Sequence, residues 1–272
     1  MRGGLRRMRS LWGLLAALTL WSVWALTSSA ALADSGVLPP DALDREPIVG
    51  GQPADITEYP WVVYLTNVQG VQFCGGTIVR ATKIVTAAHC VAGKMPAAVR
   101  VVAGRQDKQT AAGTVARVGG IWIHPDYRSP LEGADVAVLT LVERIPRQSL
   151  PPASPQDGEL YRAGTRATVL GWGATSEDGS TSRVLRKVTV PVVGDAECSE
   201  AYPSRYSSRV MMCAGLPQGG VDGCQGDSGG PLVAGGRLIG IVSWGRGCAR
   251  PGSPGVYTRV LTYHQDIRQQ LE

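Results

Sequence analysis

The chain has 272 residues, 44% hydrophobic and 18% charged, the proportions of an ordinary folded protein and not of a disordered or fibrous one. Its net charge of +5 is modest, and no basic cluster is interleaved with aromatics, which excludes the electrostatic footprint of a nucleic-acid binder.

Arg2, Arg6, Arg7 and Arg9 precede an apolar run from Leu11 to Leu26, followed by Ala31-Leu32-Ala33. Basic, then apolar, then small-x-small predicts a secretory signal over residues 1–33, cut after Ala33. A membrane anchor is the competing reading, disfavoured because the small-residue exit follows so closely. No later segment is apolar for long enough to span a bilayer, so a secreted, extracellular protein without stable membrane association is expected. Residues 34–47, ending Arg45-Glu46-Pro47, carry no periodic apolar pattern and read as a short pro-segment. Losing residues 1–47 removes five basic and four acidic groups and leaves the balance mildly positive.

From Ile48 the chain changes to short β-branched runs separated by turn residues. Strands are expected at Trp61–Leu65, Lys83–Thr86, Arg100–Ala103, Asp135–Leu141, Ala167–Leu170, Lys187–Val193, Leu238–Trp244 and Val256–Val260. Many short strands with Gly and Pro between them predict an all-β barrel or sandwich. The stretch beginning Pro151-Pro152-Ala153-Ser154-Pro155, residues 151–158, reads as a linker between two β units. Only the tail reads as a substantial helix, with Val260, Tyr263, Ile267 and Leu271 at spacings of three and four.

All six cysteines, Cys74, Cys90, Cys198, Cys213, Cys224 and Cys248, lie beyond the signal. An even count in an exported chain favours disulfides, in any of about 15 pairings. The absence of a Cys-x-x-Cys pair argues against zinc, and no metal is expected.

Two runs carry chemistry: Thr86-Ala87-Ala88-His89-Cys90, and Gly223-Cys224-Gln225-Gly226-Asp227-Ser228-Gly229-Gly230-Pro231. A serine hydroxyl is a poor nucleophile at neutral pH unless an adjacent base takes its proton. Glycines around Ser228 let the backbone turn sharply and aim N–H groups at a substrate carbonyl. The run also satisfies Gly-x-Ser-x-Gly, the nucleophile elbow of α/β-hydrolases. That fold demands the order Ser, acid, His on parallel strands alternating with helices, and neither condition is met here.

With Ile48-Val49-Gly50-Gly51 and Ser243-Trp244-Gly245, these runs resemble the chymotrypsin-like serine endopeptidases, in their trypsin-like branch, over essentially all of residues 48–272. The resemblance implies two six-stranded antiparallel β-barrels with a C-terminal helix and an active site in the cleft between them. It implies His89 as general base, Asp135 as the carboxylate orienting it, and Ser228 as nucleophile, with the N–H groups of Gly226 and Ser228 as oxyanion hole. His124, in a surface turn, and His264, in the terminal helix, are set aside as bases, and Asp126 as a solvated turn acid. Asp222 is implied at the base of the specificity pocket, with Ser243, Gly245 and Gly255 also binding substrate. Asp227 is implied to receive the α-amino group of Ile48 after activation. The implied disulfides are Cys74–Cys90, Cys198–Cys213 and Cys224–Cys248.

The function expected is therefore that of a secreted zymogen cleaving after Arg, preferred, or Lys, without a cofactor. Residue 47 departs from the family pattern. It is proline, so an enzyme that cuts after basic residues would not free Ile48 itself. Expected partners are protein or peptide substrates, an activating protease and protein inhibitors, for a chain working as a monomer. The alternative from another class is an inactive protease-shaped binding protein, which would be expected to have lost one of His89, Asp135, Ser228 or Asp227.

Overall fold

The computed structural model describes residues 50–272. The expected signal, pro-segment and Ile48 lie outside the described residues. In chain order the first strands are β1 (Gln52–Pro53), β2 (Val62–Thr66), β3 (Gln72–Arg80), β4 (Lys83–Thr86), β5 (Arg100–Ala103), β6 (Thr114–Ile123) and β7 (Ala137–Leu141). Then come β8 (Arg166–Gly171), β9 (Arg186–Val193), β10 (Met211–Ala214), β11 (Pro231–Ala234), β12 (Arg237–Trp244) and β13 (Gly255–Arg259). Strands β2-β3-β4-β7-β6-β5 form one closed antiparallel barrel. Strands β9-β10-β13-β12-β11-β8 form the second, closed by the β8–β9 pairing, with β1 added beside β9. The expected architecture of two six-stranded barrels holds. Closure leaves neither sheet with a free edge, except along the short β1.

The strands expected from β-branched runs form within a residue or two of their expected ends. One difference matters for the site. The strand expected from Asp135 begins at Ala137. Ala134 stands at φ 51°, a left-handed conformation that costs a non-glycine residue about 1 kcal/mol. Its N–H donates to the Tyr263 hydroxyl at 2.7 Å, which holds the turn and lifts Asp135 out of the ladder.

One apolar core runs through both barrels, with Leu65, Ile78, Ile84 and Leu139 from the first and Leu170, Leu232, Ile239 and Tyr257 from the second, all at most 1% exposed. Three helices complete the chain: α1 (Ala88–Val91), α2 (Asp195–Ala201) and α3 (His264–Gln270). Helix α3 is the expected terminal helix, buried through Ile267. The disulfides join Cys74 to Cys90, Cys198 to Cys213 and Cys224 to Cys248, across separations of 16, 15 and 24 residues. Loops of that length correspond to roughly 3 kcal/mol each in the chain-entropy description.

Candidate active site

Register brings the first two residues together. In the β4–β7 pair, Thr86 lies opposite Ala137. His89 follows Thr86 by three residues, on α1, and Asp135 precedes Ala137 by two, so both leave the same end of the first barrel. The Asp135 carboxylate, 1% exposed, accepts the His89 backbone N–H at 2.9 Å through Oδ1 and meets the ring Nδ1 at 2.8 Å through Oδ2. A carboxylate on Nδ1 makes that nitrogen the donor and leaves Nε2 with its lone pair.

The second barrel completes the cage around Asp135. Strands β12 and β13 pair Ile241 with Thr258 and Trp244 with Val256. From this ribbon the Ser243 hydroxyl donates to Asp135 Oδ2 at 2.6 Å and the Thr258 hydroxyl donates to the Asp135 carbonyl at 2.8 Å. Ser243, expected to bind substrate, thus directs its hydroxyl to Asp135 while its residue still lines the adjoining cavity.

Ser228 arrives on the loop before β11. Gly229 N–H donates to the Val242 carbonyl and Val242 N–H to the Gly230 carbonyl, at 2.8 and 3.0 Å, which sets Ser228 alongside Ser243. The Ser228 carbonyl accepts Gly75 N–H from β3 at 2.7 Å and lies 3.5 Å from Cys90 Sγ. That sulfur is also 3.7 Å from His89 Nε2, so serine and imidazole converge on the Cys74–Cys90 disulfide. Among the described residues no hydrogen bond yet joins Ser228 Oγ to the ring; such bonds tighten when substrate fills a site.

The backbone of this loop is polarised. The N–H groups of Asp227, Gly229 and Gly230 are taken by the carbonyls of Cys224, Val242 and Asp227. Those of Gly226 and Ser228 have no acceptor among the described residues, and Gly226 stands at a φ of +93°, which glycine adopts freely. Two free donors one residue apart can hold an anionic oxygen.

Asp227 is fully buried, accepting N–H groups from Gly173 at 2.8 Å and Cys224 at 3.0 Å. Burial pushes its pKa up to about 6, against those hydrogen bonds and the Lys108 charge.

Asp222 and Ser228 line one cavity of about 160 Å³, together with Gly223, Ser243, Gly245 and Gly255. Asp222 is 5% exposed, and its Oδ2 receives Ala249 N–H at 3.4 Å. Burial pushes its pKa up to about 7, a carboxylate short of a counter-charge. A Cβ at Gly255 would stand 2.5 Å from Asp222 Oδ1, so glycine is required to keep the carboxylate in place.

The residues set aside are placed elsewhere. Asp126 is exposed, and His264 Nδ1 bonds to the Ala153 carbonyl at 2.9 Å. His124 corrects an expectation: it is buried at 8% exposure, not on a surface turn, because its ring packs edge-on against Trp122 and Tyr263 and approaches Asp266 at 3.6 Å. Sequence reasoning missed Thr258 and Tyr257. The Tyr257 hydroxyl lines the Asp222 cavity, is buried, and finds no hydrogen-bond partner among the described residues. Neither residue carries a local signal, since both read as ordinary strand positions.

Comparison with known proteins agrees with this geometry. The family model described as "Trypsin" matches residues 48–267. A trypsin of Saccharopolyspora erythraea is 48% identical over 224 residues, covering 82% of this chain and 98% of that one. Trypsin-1 of Astacus astacus is 42% identical, over 80% of this chain and 97% of its own. A vitellin-degrading protease of Bombyx mori is 43% identical, over 82% and 85%.

Proposed function

The chain belongs to the trypsin family and is a serine endopeptidase acting on proteins, and from that premise we propose that it is a secreted zymogen whose mature form cleaves after Arg in preference to Lys. The observation that carries the reading is that a buried carboxylate, Asp222, and the serine, Ser228, bound the same cavity. A basic side chain entering to reach Asp222 brings the next carbonyl to Ser228. His89 Nε2 takes the Ser228 proton as Oγ attacks, and Asp135 stabilises the imidazolium that forms. The N–H groups of Gly226 and Ser228 hold the oxyanion, and His89 returns the proton to the leaving amine. Water, activated by His89 in turn, releases the acyl group.

Arginine is preferred because Gly223, next to Asp222, offers no hydroxyl to complete the shell of a short lysine ammonium. A guanidinium reaches the carboxylate with a two-pronged fork. On peptides differing only in Arg or Lys before the scissile bond, kcat/KM is expected to be about tenfold higher for Arg, the value of one hydrogen bond to a charged group. A Cβ at Gly223 would make ordinary contact with Val169 at 3.4 Å, so Gly223→Ser fits and is expected to narrow the ratio. Equal kcat/KM for the two peptides in the parent enzyme would refute the preference.

Activation rests on Asp227. Gly50, two positions after Ile48 in the sequence, packs against Gly220 and Val221, on the segment leading into Asp222. An α-ammonium at Ile48 would supply the charge that Asp227 lacks and order the loop around Ser228. With Pro47 before the cut, another protease must make it, and the mature chain starts at Ile48. Purified precursor carrying Ser228→Ala is expected to stay untrimmed until a protease is added; spontaneous correct trimming would defeat this. No helix among the described residues is long and apolar enough to cross a membrane. The mature enzyme works as a monomer open to substrate-like protein inhibitors.

A further inference from the structure

A second groove, of about 420 Å³, lies on the first barrel where it meets the Ser228 loop. Three cations line it, Arg100, Arg105 and Lys108, and no carboxylate does. Their hydrogen bonds go to neutral atoms. Arg100 donates to the carbonyls of Ala97 and Val99, both at 2.9 Å, and Arg105 to that of Ala112 at 2.7 Å. Lys108 donates to Gln72 Oε1 and Thr181 Oγ1, both at 2.9 Å. The adjacent acid Asp107 is engaged by Arg183 at 3.1 Å. Burial pulls the Lys108 pKa down to about 8, opposed by the Asp227 charge. The groove is apolar as well as basic. Val68, Val71 and Val115 line it at 55, 61 and 53% exposure, three of the six exposed large hydrophobics among the described residues. Cations without acids beside clustered exposed valines are complementary to an acidic segment with apolar side chains.

One wall residue of the groove reaches the loop that carries the serine. Gln72 stands in its wall, and Gln72 Nε2 donates to the Gly226 carbonyl at 3.0 Å. The Asp222 cavity is built from the second barrel and is lined by Ser228, whereas the groove is built mainly from the first, and the Gln72–Gly226 hydrogen bond links its wall to the serine loop. A substrate with its basic residue in the Asp222 cavity must lead the chain beyond the scissile bond away from that cavity, past Gly226 and Gln72. Three extended residues of such a chain span about 10 Å.

We propose that this groove binds the part of a protein substrate that follows the scissile bond and selects acidic residues with apolar neighbours there, Arg105, Lys108 and Arg100 reading the carboxylates and Val68 and Val71 the apolar side chains. This rests on the assignment of Ser228 and Asp222 above. The test uses mature enzyme and two quenched-fluorescence peptides, identical through the scissile bond and carrying either Glu-Val-Asp or the uncharged, near-isosteric Gln-Val-Asn from the second position after it. The acidic peptide is expected to have a kcat/KM about three- to tenfold higher at low salt, the range of one or two partly exposed ion pairs, with the ratio shrinking at high salt. Arg105→Gln is expected to reduce the ratio and the charge-conserving Arg105→Lys to keep most of it. An arginine ester, with no residues after the scissile bond, reports the active site separately. Ester hydrolysis with equal rates on the two peptides, or with a ratio untouched by Arg105→Gln, would overturn the groove and leave the active site standing. Failure to hydrolyse the ester would overturn the active-site reading and the groove with it.

Discussion

Replacing Ser228 or His89 by alanine is expected to lower kcat on an arginine peptide by about 10⁵–10⁶, and replacing both is expected to cost little more than either alone. The reason is that the two act as one unit. Without the His89 ring nothing takes the Ser228 proton, and without the hydroxyl the ring has no proton to take. What survives is binding in the Asp222 cavity and stabilisation by the free N–H groups of Gly226 and Ser228, on the order of 10³–10⁴ over water. Asp135→Asn should follow at about 10⁴. Its side-chain oxygen would still accept the His89 backbone N–H at the Oδ1 position, but an amide N–H in place of Oδ2 would face Nδ1 and favour the wrong tautomer. Steady-state kinetics on the single and double variants decide the matter, with thermal unfolding confirming that each is folded. Losses that multiplied in the double variant would show that Ser228 and His89 work independently, and the mechanism would fall.

The second large effect is expected at Asp222. Asp222→Asn should lower kcat/KM on Arg and Lys substrates by about 10²–10⁴, corresponding to the roughly 3–5 kcal/mol lost when one member of a desolvated ion pair is removed. The cavity gives that charge no substitute, since no other charged side chain lines it. The same carboxylate sets a pH dependence. Burial pushes its pKa up to about 7, so in the empty site it is protonated below that pH and ionised above it. A bound cation favours the ionised form, and binding from below pH 7 must displace the proton. Affinity for an aromatic amidinium ligand should therefore rise with pH toward a plateau above about 7, with proton release in calorimetry that vanishes in Asp222→Asn. An affinity flat across that range in the parent enzyme would count against Asp222 as the floor of the site.

Much of the molecule was legible in the chain because its signals are local. β-branched runs such as Lys83–Thr86 and Arg100–Ala103 mark strands by composition and flanking turns, and these two appear with the expected ends. Other strands were invisible for identifiable reasons. Gln72–Arg80 contains Gly75-Gly76, which carry no strand preference but let β3 approach the Ser228 loop, where Gly75 N–H meets the Ser228 carbonyl. Thr114–Ile123 is interrupted by Gly119-Gly120, and Met211–Ala214 and Pro231–Ala234 are too short to show a period. Helix α1, four residues long, is likewise below the length at which apolar spacing speaks. The tail helix did announce itself, but it begins later than the periodicity suggests: of the four periodic residues only Ile267 lies within it, while Val260 and Tyr263 are buried in the turn ahead of it.

For the candidate site the division is sharper. The sequence alone determined that His89 and Ser228 were the residues to follow, because each sits in a short run of distinctive chemistry, and its resemblance to the trypsin-like family added Asp135, Asp222 and Asp227. It could not say what surrounds them. That Ser243 and Thr258 hold Asp135, that Tyr257 brings an unpartnered hydroxyl to the cavity, and that Arg100, Arg105 and Lys108 share a groove with exposed valines were decided only by tertiary structure. The cage around Asp135 depends on the meeting of two barrels, with partners 108 and 123 positions away, and the cavity and groove depend on strand register within a barrel; neither leaves a trace in local composition.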